Sequence, residues 1–430
     1  MISDQDRIFK NLPTEQELFA TQAREQGDWV DLESLLRRGR TDLYQSIRES
    51  GLQEKDRWAQ NVYEKWHPFM GRQDKPYMVI DVGRGAPGEV GFLHLIYYET
   101  YKLVEGIILA AFVVDSPHAY IYVSADQKRA FDILERVIQE AYEAGILGEN
   151  ILGTGFTFNL HIHVGSSQYV SYHPHSVVHD LAGDEQPEGL LWGRKVVVHK
   201  VETVAALSTV FKRGKEWFLG LGTPGSRGTK IFSFSGHVNK PCVIEEQFGV
   251  SLRATLEQYA DGVRGGWSHL NCIFPGGIAT PFLVKSFCQD LALSYEGMAK
   301  YHSFLGSGGM VIVNGSVSIL TFTLTALAFL APFSGKKCIF CSKGLNLCLG
   351  ALREIQHHEK DLSFVVNRYG KLEELATIIK RRCQCGYAAE ALHPIHRYLQ
   401  YTQEEMGDIT ISLDNTDKSA EDEKEALHVL

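Results

Sequence analysis

Between residues 77 and 164 the chain alternates short apolar runs with amphipathic stretches. Tyr77-Met78-Val79-Ile80-Asp81 reads as a buried strand, residues 102–114 as an apolar helix, and Ala119-Tyr120-Ile121-Tyr122-Val123 as a second strand. Residues 128–144 follow as a strongly amphipathic helix, and 158–164 as a third strand. Strands alternating with helices at this spacing predict an α/β layer built on a largely parallel sheet. Upstream, residues 1–72 are polar and helical in pattern, with Leu35, Leu36 and Leu43 at helical spacing. From 229 the pattern shifts to short strands between Gly and Pro turns, at 230–235, 241–246 and 271–274, around one helix at 252–259. That is a small α+β module. Residues 310–313 read as another short buried strand, 316–403 as helices, and the Asp-, Glu-, Ser- and Thr-rich segment from 404 as a solvated tail.

The longest uncharged stretch, residues 301–335, raises the question of a membrane span. It is broken by Gly306, Gly308, Gly309, Asn314, Gly315 and Pro332, so its one helix is shorter than the roughly twenty apolar residues a bilayer requires. No span is expected. A net charge of −9 argues against direct nucleic-acid binding, despite local basic clusters at Lys212, Arg213 and Lys215 and at Lys380, Arg381 and Arg382. Three of the eight cysteines, Cys242, Cys272 and Cys288, stand singly and read as buried thiols; the other five crowd into the last quarter. With no secretory signal at the start, a reducing compartment is expected, rather than a disulfide framework.

Several short strings carry a family resemblance. They are Leu35-Leu36-Arg37-Arg38-Gly39, Ser50-Gly51-Leu52, Glu140-Ala141-Tyr142-Glu143-Ala144-Gly145, Gly228-Thr229-Lys230-Ile231-Phe232, Ser235-Gly236-His237-Val238-Asn239, Gly265-Gly266-Trp267 and Pro275-Gly276-Gly277 with Thr280-Pro281. Their collinear order resembles the 51 kDa NADH-binding flavoprotein subunit of respiratory complex I over residues 27–403. The resemblance implies an N-terminal helical segment (1–72), a Rossmann-like flavin and nicotinamide α/β domain (73–227), a soluble-ligand-binding β-grasp module (228–308), a helical bundle with a cysteine cluster (309–403) and an acidic tail (404–430).

The strings that carry the family's chemistry are altered. Its glycine-rich phosphate loop corresponds to Gln53-Glu54-Lys55-Asp56-Arg57-Trp58-Ala59-Gln60, which has no glycine and places the carboxylates of Glu54 and Asp56 where a phosphate would sit. Like charges about 5 Å apart at an effective dielectric of 20 cost roughly 3 kcal/mol, and Lys55 and Arg57 offset this only in part. The acidic second loop reads Asp81-Val82-Gly83-Arg84-Gly85-Ala86-Pro87-Gly88-Glu89, with Gly83, Arg84 and Ala86 at its key places. In the third element the paired glutamates are His173 and Pro174, and Lys200 replaces the Asn ahead of Val201-Glu202-Thr203. Four altered elements imply that neither FMN nor NAD binds and that the chain is an enzymatically inactive paralogue. An NADH-dependent flavin and iron–sulfur oxidoreductase subunit with a rearranged site is the alternative. His161, His163, His173, His175 and His179 lack acidic or thiol partners and read as core or loop histidines.

The family's cluster ligands correspond to Cys338 and Cys341, with Gly344 at the third position and Cys385 at the fourth; Cys383 is an addition. Paired thiolates at short spacing suit zinc or a 4Fe-4S cluster, and both stay open. The segment 316–332 is apolar on all faces, so a partner protein is expected to cover it. The resemblance suggests a thioredoxin-like 24 kDa-type iron–sulfur subunit or its paralogue, within complex I or a maturing mitochondrial ribosome, in the mitochondrial matrix.

Overall fold

The computed structural model describes the backbone of residues 1–83, 85–166, 174–183, 187, 189–334, 338–358, 361–383 and 386–405. Two five-stranded sheets organise it. The first runs in the order β3-β2-β1-β5-β4, from β1 (Tyr77–Val82), β2 (His118–Ser124), β3 (Asn159–Gly165), β4 (Leu190–Leu191) and β5 (Arg194–Lys200). The first three and β5 are parallel; β4 joins β5 as an antiparallel hairpin. The second sheet runs β7-β6-β10-β8-β9, from β6 (Thr229–Gly236), β7 (Cys242–Gln247), β8 (Leu270–Phe274), β9 (Leu283–Val284) and β10 (Gly309–Asn314). Its pairs are antiparallel except β6 with β10.

The strands and helices read from the pattern fall within a few residues of these elements. Helix α1 (Thr100–Val113) is buried along almost its whole length, and α2 (Lys128–Glu143) buries one stripe: Ala130, Ile133, Leu134, Val137, Ile138 and Ala141. That spacing places every apolar residue of the stripe on the sheet-facing side of α2. Among the elements not foreseen are α3 (Pro174–Ala182), β5 and α4 (Val201–Arg213). Helix α4 lies against α1 at Gly106, where an added Cβ would meet the Val204 carbonyl oxygen at 1.8 Å. Backbones that close leave no room for a side chain, and Val204, Leu207, Val210 and Phe211 pack around the crossing. Each such burial contributes about 1.5–3 kcal/mol of gross transfer free energy.

Past the second sheet come α6 (Ile319–Leu330), α7 (Leu345–His357), α8 (Leu362–Arg382), α9 (Tyr387–Ala391) and α10 (His393–Glu405), after α5 (Leu252–Tyr259) within the sheet region. The chain alone does not cover α6, as its apolarity on all faces led one to expect. Ile319, Leu320, Thr323, Ala326, Leu327 and Leu330 are buried, while Phe322, Leu324 and Ala328 are not fully covered, because the bundle packs against one side of this helix only. Among the described residues no helix is long and apolar enough to cross a membrane. The N-terminal segment is less helical than its polarity suggested: residues 1–19 form no regular helix, yet Ile8, Phe9 and Leu12 are buried. Backbone amides there are held by acids from elsewhere, Ile8 and Phe9 by Glu245 and Asn11 by Glu99.

Candidate functional site

A cavity of about 390 Å³, open to solvent, lies beyond the carboxyl ends of β1 and β5, at the start of α4. Open parallel sheets bind ligands at that end of their strands. Lys55, Asp81, Gly83, Gly85, Phe92, Lys200, Glu202 and Ser307 line it. Four parts of the chain meet here: the 53–60 loop, the β1 end, the β5–α4 junction and the segment before β10.

The 53–60 loop is locked from beneath. Glu54 is fully buried and points into the protein, paired with His199, bonded to the Lys65 ammonium at 2.9 Å and accepting from Thr203 Oγ1 at 2.8 Å. Burial alone would raise its pKa, but Lys65 and His199 outweigh it and hold the carboxyl well below the usual range. Burial pushes His199 down, and its Nε2 meets the Trp66 indole at 2.8 Å. Four of the loop amides are already used. Glu54 N donates to Gln60 O at 2.8 Å, Lys55 N to Thr203 Oγ1 at 2.9 Å, and Trp58 and Ala59 both donate to Asp56 Oδ1. Arg57 pairs with Glu390 of α9 and lies 4.5 Å from the Phe304 ring centroid, tying the loop to the helical bundle. The placement of Glu54 and Asp56 at a phosphate position, expected from sequence, is therefore corrected; both carboxylates hold the loop closed.

The cationic side of the cavity is formed by side chains. Lys200 pairs with Asp81, and although burial opposes charge, Asp81 raises its pKa. Lys55 lines the cavity but is buried, its ammonium donating to Arg227 O at 3.4 Å and lying 4.6 Å from the Phe248 ring centroid, and burial pushes its pKa down to about 7. Behind them Lys230 is fully buried in β6, donating to Lys55 O at 3.0 Å and facing Glu202 at 3.4 Å. Glu202 also accepts from Ile231 N at 2.8 Å. Glu89 accepts from Ala86 N and Ser307 N, and burial raises its pKa. Sequence reasoning missed Lys230, Glu202, Glu89 and His199. A charged residue inside the apolar run of a buried strand, such as Lys230, was the available signal, since lysine is rarely buried without a partner. Arg84 and His173 lie outside the described residues.

In the helical bundle, Cys338, Cys341 and Cys383 place their sulfurs within 4.8 Å of one another, with Cys341 Sγ and Cys383 Sγ 3.4 Å apart. Cys383 is close in sequence to α9, whose Glu390 pairs with Arg57 of the 53–60 loop. Cys341 is buried and the other two half-buried. Residues before α7 supply the first pair and the end of α8 supplies the third; Cys385 lies outside the described residues. Among the described residues this is the one group of three or more metal-ligating side chains. The histidines do not form a second. His161 is hydrogen-bonded to His118 at 3.1 Å, and His163 stacks on Tyr122.

Residues 47–209 match the family model described as the Nuo51 FMN-binding domain, and residues 321–408 match the NADH-ubiquinone oxidoreductase-F iron-sulfur binding region. The F subunit of NADH-quinone oxidoreductase of Rickettsia bellii is 30% identical over 417 residues, covering 94% of this chain and 99% of that protein. The chain belongs to the family of NADH-quinone oxidoreductase F subunits. Its counterpart in Rickettsia rickettsii is 32% identical over 354 residues, covering 80% and 84% of the two chains. Of solved structures, an NAD+-reducing [NiFe]-hydrogenase in the H2-reduced state shares the fold, with TM-score 0.74 and 18% identity. The match covers 91% of this chain and 66% of the hydrogenase chain.

Membership corrects two expectations. That neither FMN nor NAD is expected is overturned by the match of residues 47–209 to the FMN-binding domain. The equal standing of zinc is overturned by the match of residues 321–408 to the iron–sulfur region, and the three converging thiols fit a 4Fe-4S site. The fit at the flavin locus is specific in kind. The amides of Glu54, Lys55, Trp58 and Ala59 are engaged, so they do not fit a phosphate in the way a glycine-rich loop does. Lys55 and Lys200 at the cavity fit an anionic group held through side chains.

Proposed function

We propose that this chain is a flavin and iron–sulfur subunit of an NADH-dependent oxidoreductase whose flavin site has been rearranged from loop amides to lysine side chains. The observation that carries the reading is the pair Lys55 and Lys200 fronting the cavity at the sheet's carboxyl ends. Membership in the family of NADH-quinone oxidoreductase F subunits supports it. When bound, a flavin accepts electrons in pairs and releases them singly, which matches it to a cluster that takes one at a time. The chain's own residues would do the following. Lys200, its ammonium fixed by Asp81, carries positive charge for an anionic group, and Lys55 at the same cavity would gain its proton as an anion binds. Glu89 holds the 85–89 turn to Ser307, and Phe92 keeps one wall dry. Cys338, Cys341 and Cys383 would hold the cluster as thiolates.

The finer architecture belongs to the same reading: a Rossmann-like assignment for the first sheet and a β-grasp assignment for the second, with a smaller thioredoxin-like iron–sulfur subunit as companion. The relatives' designation as one subunit of an oxidoreductase supports a place in a multi-subunit assembly. NADH-dependent reduction of ferricyanide by the purified chain loaded with FMN tests the proposal. Activity that falls at least tenfold in Lys200→Ala supports it, and activity absent from folded, flavin-loaded protein sinks it.

A second reading is favoured by one observation, the locked loop from Glu54 to Gln60 and its tie through Arg57 to Glu390. In that reading the chain is a catalytically silent, structural subunit of a large mitochondrial complex. Wild-type assembly of that complex with a chain carrying Lys55→Ala and Lys200→Ala, without loss of the complex's activity, supports this second reading.

A further inference from the structure

Away from the cavity, one face of the first sheet carries a connected set of rings. Tyr120 of β2 sits opposite His161 of β3, their rings stacked with centroids 5.2 Å apart. His161 also stacks on His118 at 5.4 Å, and Tyr77 of β1 meets Tyr120 edge-on at 5.7 Å. The platform ends at Trp192, the tip of the β4–β5 hairpin, whose indole stands edge-on to Tyr120 at 5.2 Å and to Tyr77 at 6.1 Å. The exposed Arg194 lies 5.2 Å from the Tyr77 ring centroid.

Cross-strand aromatic pairs stabilise any sheet, and Tyr77, Tyr120 and His161 need no further explanation. Trp192 does. With Trp192 at φ +49° and Gly193 at φ +78°, the two-residue turn has left-handed backbone at both positions. Such turns favour Asn-Gly or Asp-Gly, and a bulky side chain at positive φ is an outlier that persists where something else requires it. The indole is nevertheless 47% exposed. The strain therefore serves to hold a large ring at the rim of an open platform rather than to fill the core.

We infer that this face is a protein-docking surface centred on Trp192, and that its partner brings a carboxylate beside an aliphatic or aromatic side chain. The inference rests on the reading of the chain as a subunit of a larger assembly. Trp, Tyr and Arg dominate binding hot spots because they combine large rigid area with donors. Arg194 supplies the planar donor set that pairs with a carboxylate, while the platform rings themselves carry no acid. A nucleic acid would also stack on such rings, but the chain's net charge of −9 opposes it. In sequence the acid nearest to Arg194 is the chain's own Glu188, and neutralising it is part of the test.

The test compares hydroxyl-radical footprinting of the full-length chain alone with the chain in its purified native complex, before and after ribonuclease treatment. Oxidation of Trp192 is expected to fall at least fivefold on assembly and to stay low after ribonuclease. Trp192→Gly suits the turn backbone, so it is expected to keep or raise the melting temperature of the isolated chain while weakening co-assembly at least tenfold. Arg194→Glu is expected to weaken co-assembly similarly, and Glu188→Gln to leave it unchanged or tighter. Equal Trp192 oxidation in both states, protection lost on ribonuclease treatment, or wild-type assembly of both Trp192→Gly and Arg194→Glu would overturn the inference. A chain that forms no complex at all would overturn the subunit reading beneath it, a separate outcome visible by gel filtration.

Discussion

Replacing Glu54 with alanine tests whether the 53–60 loop is held by buried charge. The carboxylate is fully buried, contacts His199, and lies 2.9 Å from Lys65 Nζ and 2.8 Å from Thr203 Oγ1. At that separation and an effective dielectric of 20, its attraction to Lys65 is about 6 kcal/mol before desolvation. Most of this is offset by the cost of burying both ions. Removing one partner of such a pair, however, leaves the other uncompensated, at a cost of about 3–5 kcal/mol. At roughly 2–4 °C per kcal/mol for a domain of 150–250 residues, Glu54→Ala should lower the melting temperature by about 10 °C or more. Urea unfolding of Glu54→Ala, Lys65→Ala and the double variant measures the coupling directly. The double variant should be less destabilised than the sum of the singles by more than about 1 kcal/mol. Because the Glu54 pKa is depressed in the folded protein, its stabilisation is present above the unfolded carboxyl value near 4.5 and is lost as pH falls below it. A single-variant loss under about 1 kcal/mol, or strict additivity, would refute the picture of a charge-locked loop.

Burial raises Glu99 to about 8, so the unfolded chain loses this proton from about pH 4.5 upward while the folded chain keeps it. Stability should fall across that window, and Glu99→Gln should flatten the fall in a urea-midpoint series between pH 5 and 8. Gly106→Ala drives a methyl into the Val204 carbonyl at the α1–α4 crossing. It should cost more than about 3 kcal/mol or abolish soluble expression, whereas Gly350→Ala, with nothing near its added Cβ, should be neutral or stabilising by circular-dichroism melting. Cys341→Ser should remove most of the iron and acid-labile sulfide measured per chain, and unchanged iron content would exclude Cys341 as a ligand.

The elements legible in the sequence were those whose burial pattern is simple. β1 is apolar and buried on nearly every residue, and α2 carries one clean stripe. Helix α5 over Leu252–Tyr259 was read to the residue, helped by its Ser251 cap, which accepts from Ala254 N. Helix α4 was missed because it is buried almost all round, Ser208 and Thr209 included, so no polar stripe marks its period. The flavin locus was legible as altered, since the missing glycines are visible in the 53–60 string itself. Where the new charges point was not. Glu54 could be placed facing a ligand or facing inward, and only the positions of Lys65, His199 and Thr203, brought together from separate parts of the chain, decide it. The shared position of Lys55 and Lys200 was likewise unreadable, because they are 145 residues apart in sequence and line one cavity only through the β5–α4 junction. The cysteine set was found through the family resemblance: short spacing pairs Cys338 with Cys341, while Cys383 lies 42 residues beyond Cys341 and is joined to them only by the fold.

The most direct measurement of the rearranged site is an FMN titration of the purified full-length chain, followed by quenching of flavin fluorescence, with riboflavin as the uncharged comparison. Saturation at about one FMN per chain is expected, with binding at least tenfold tighter than riboflavin and that advantage lost in Lys55→Ala with Lys200→Ala. FMN that fails to bind the folded protein, or binds no better than riboflavin, would contradict the account.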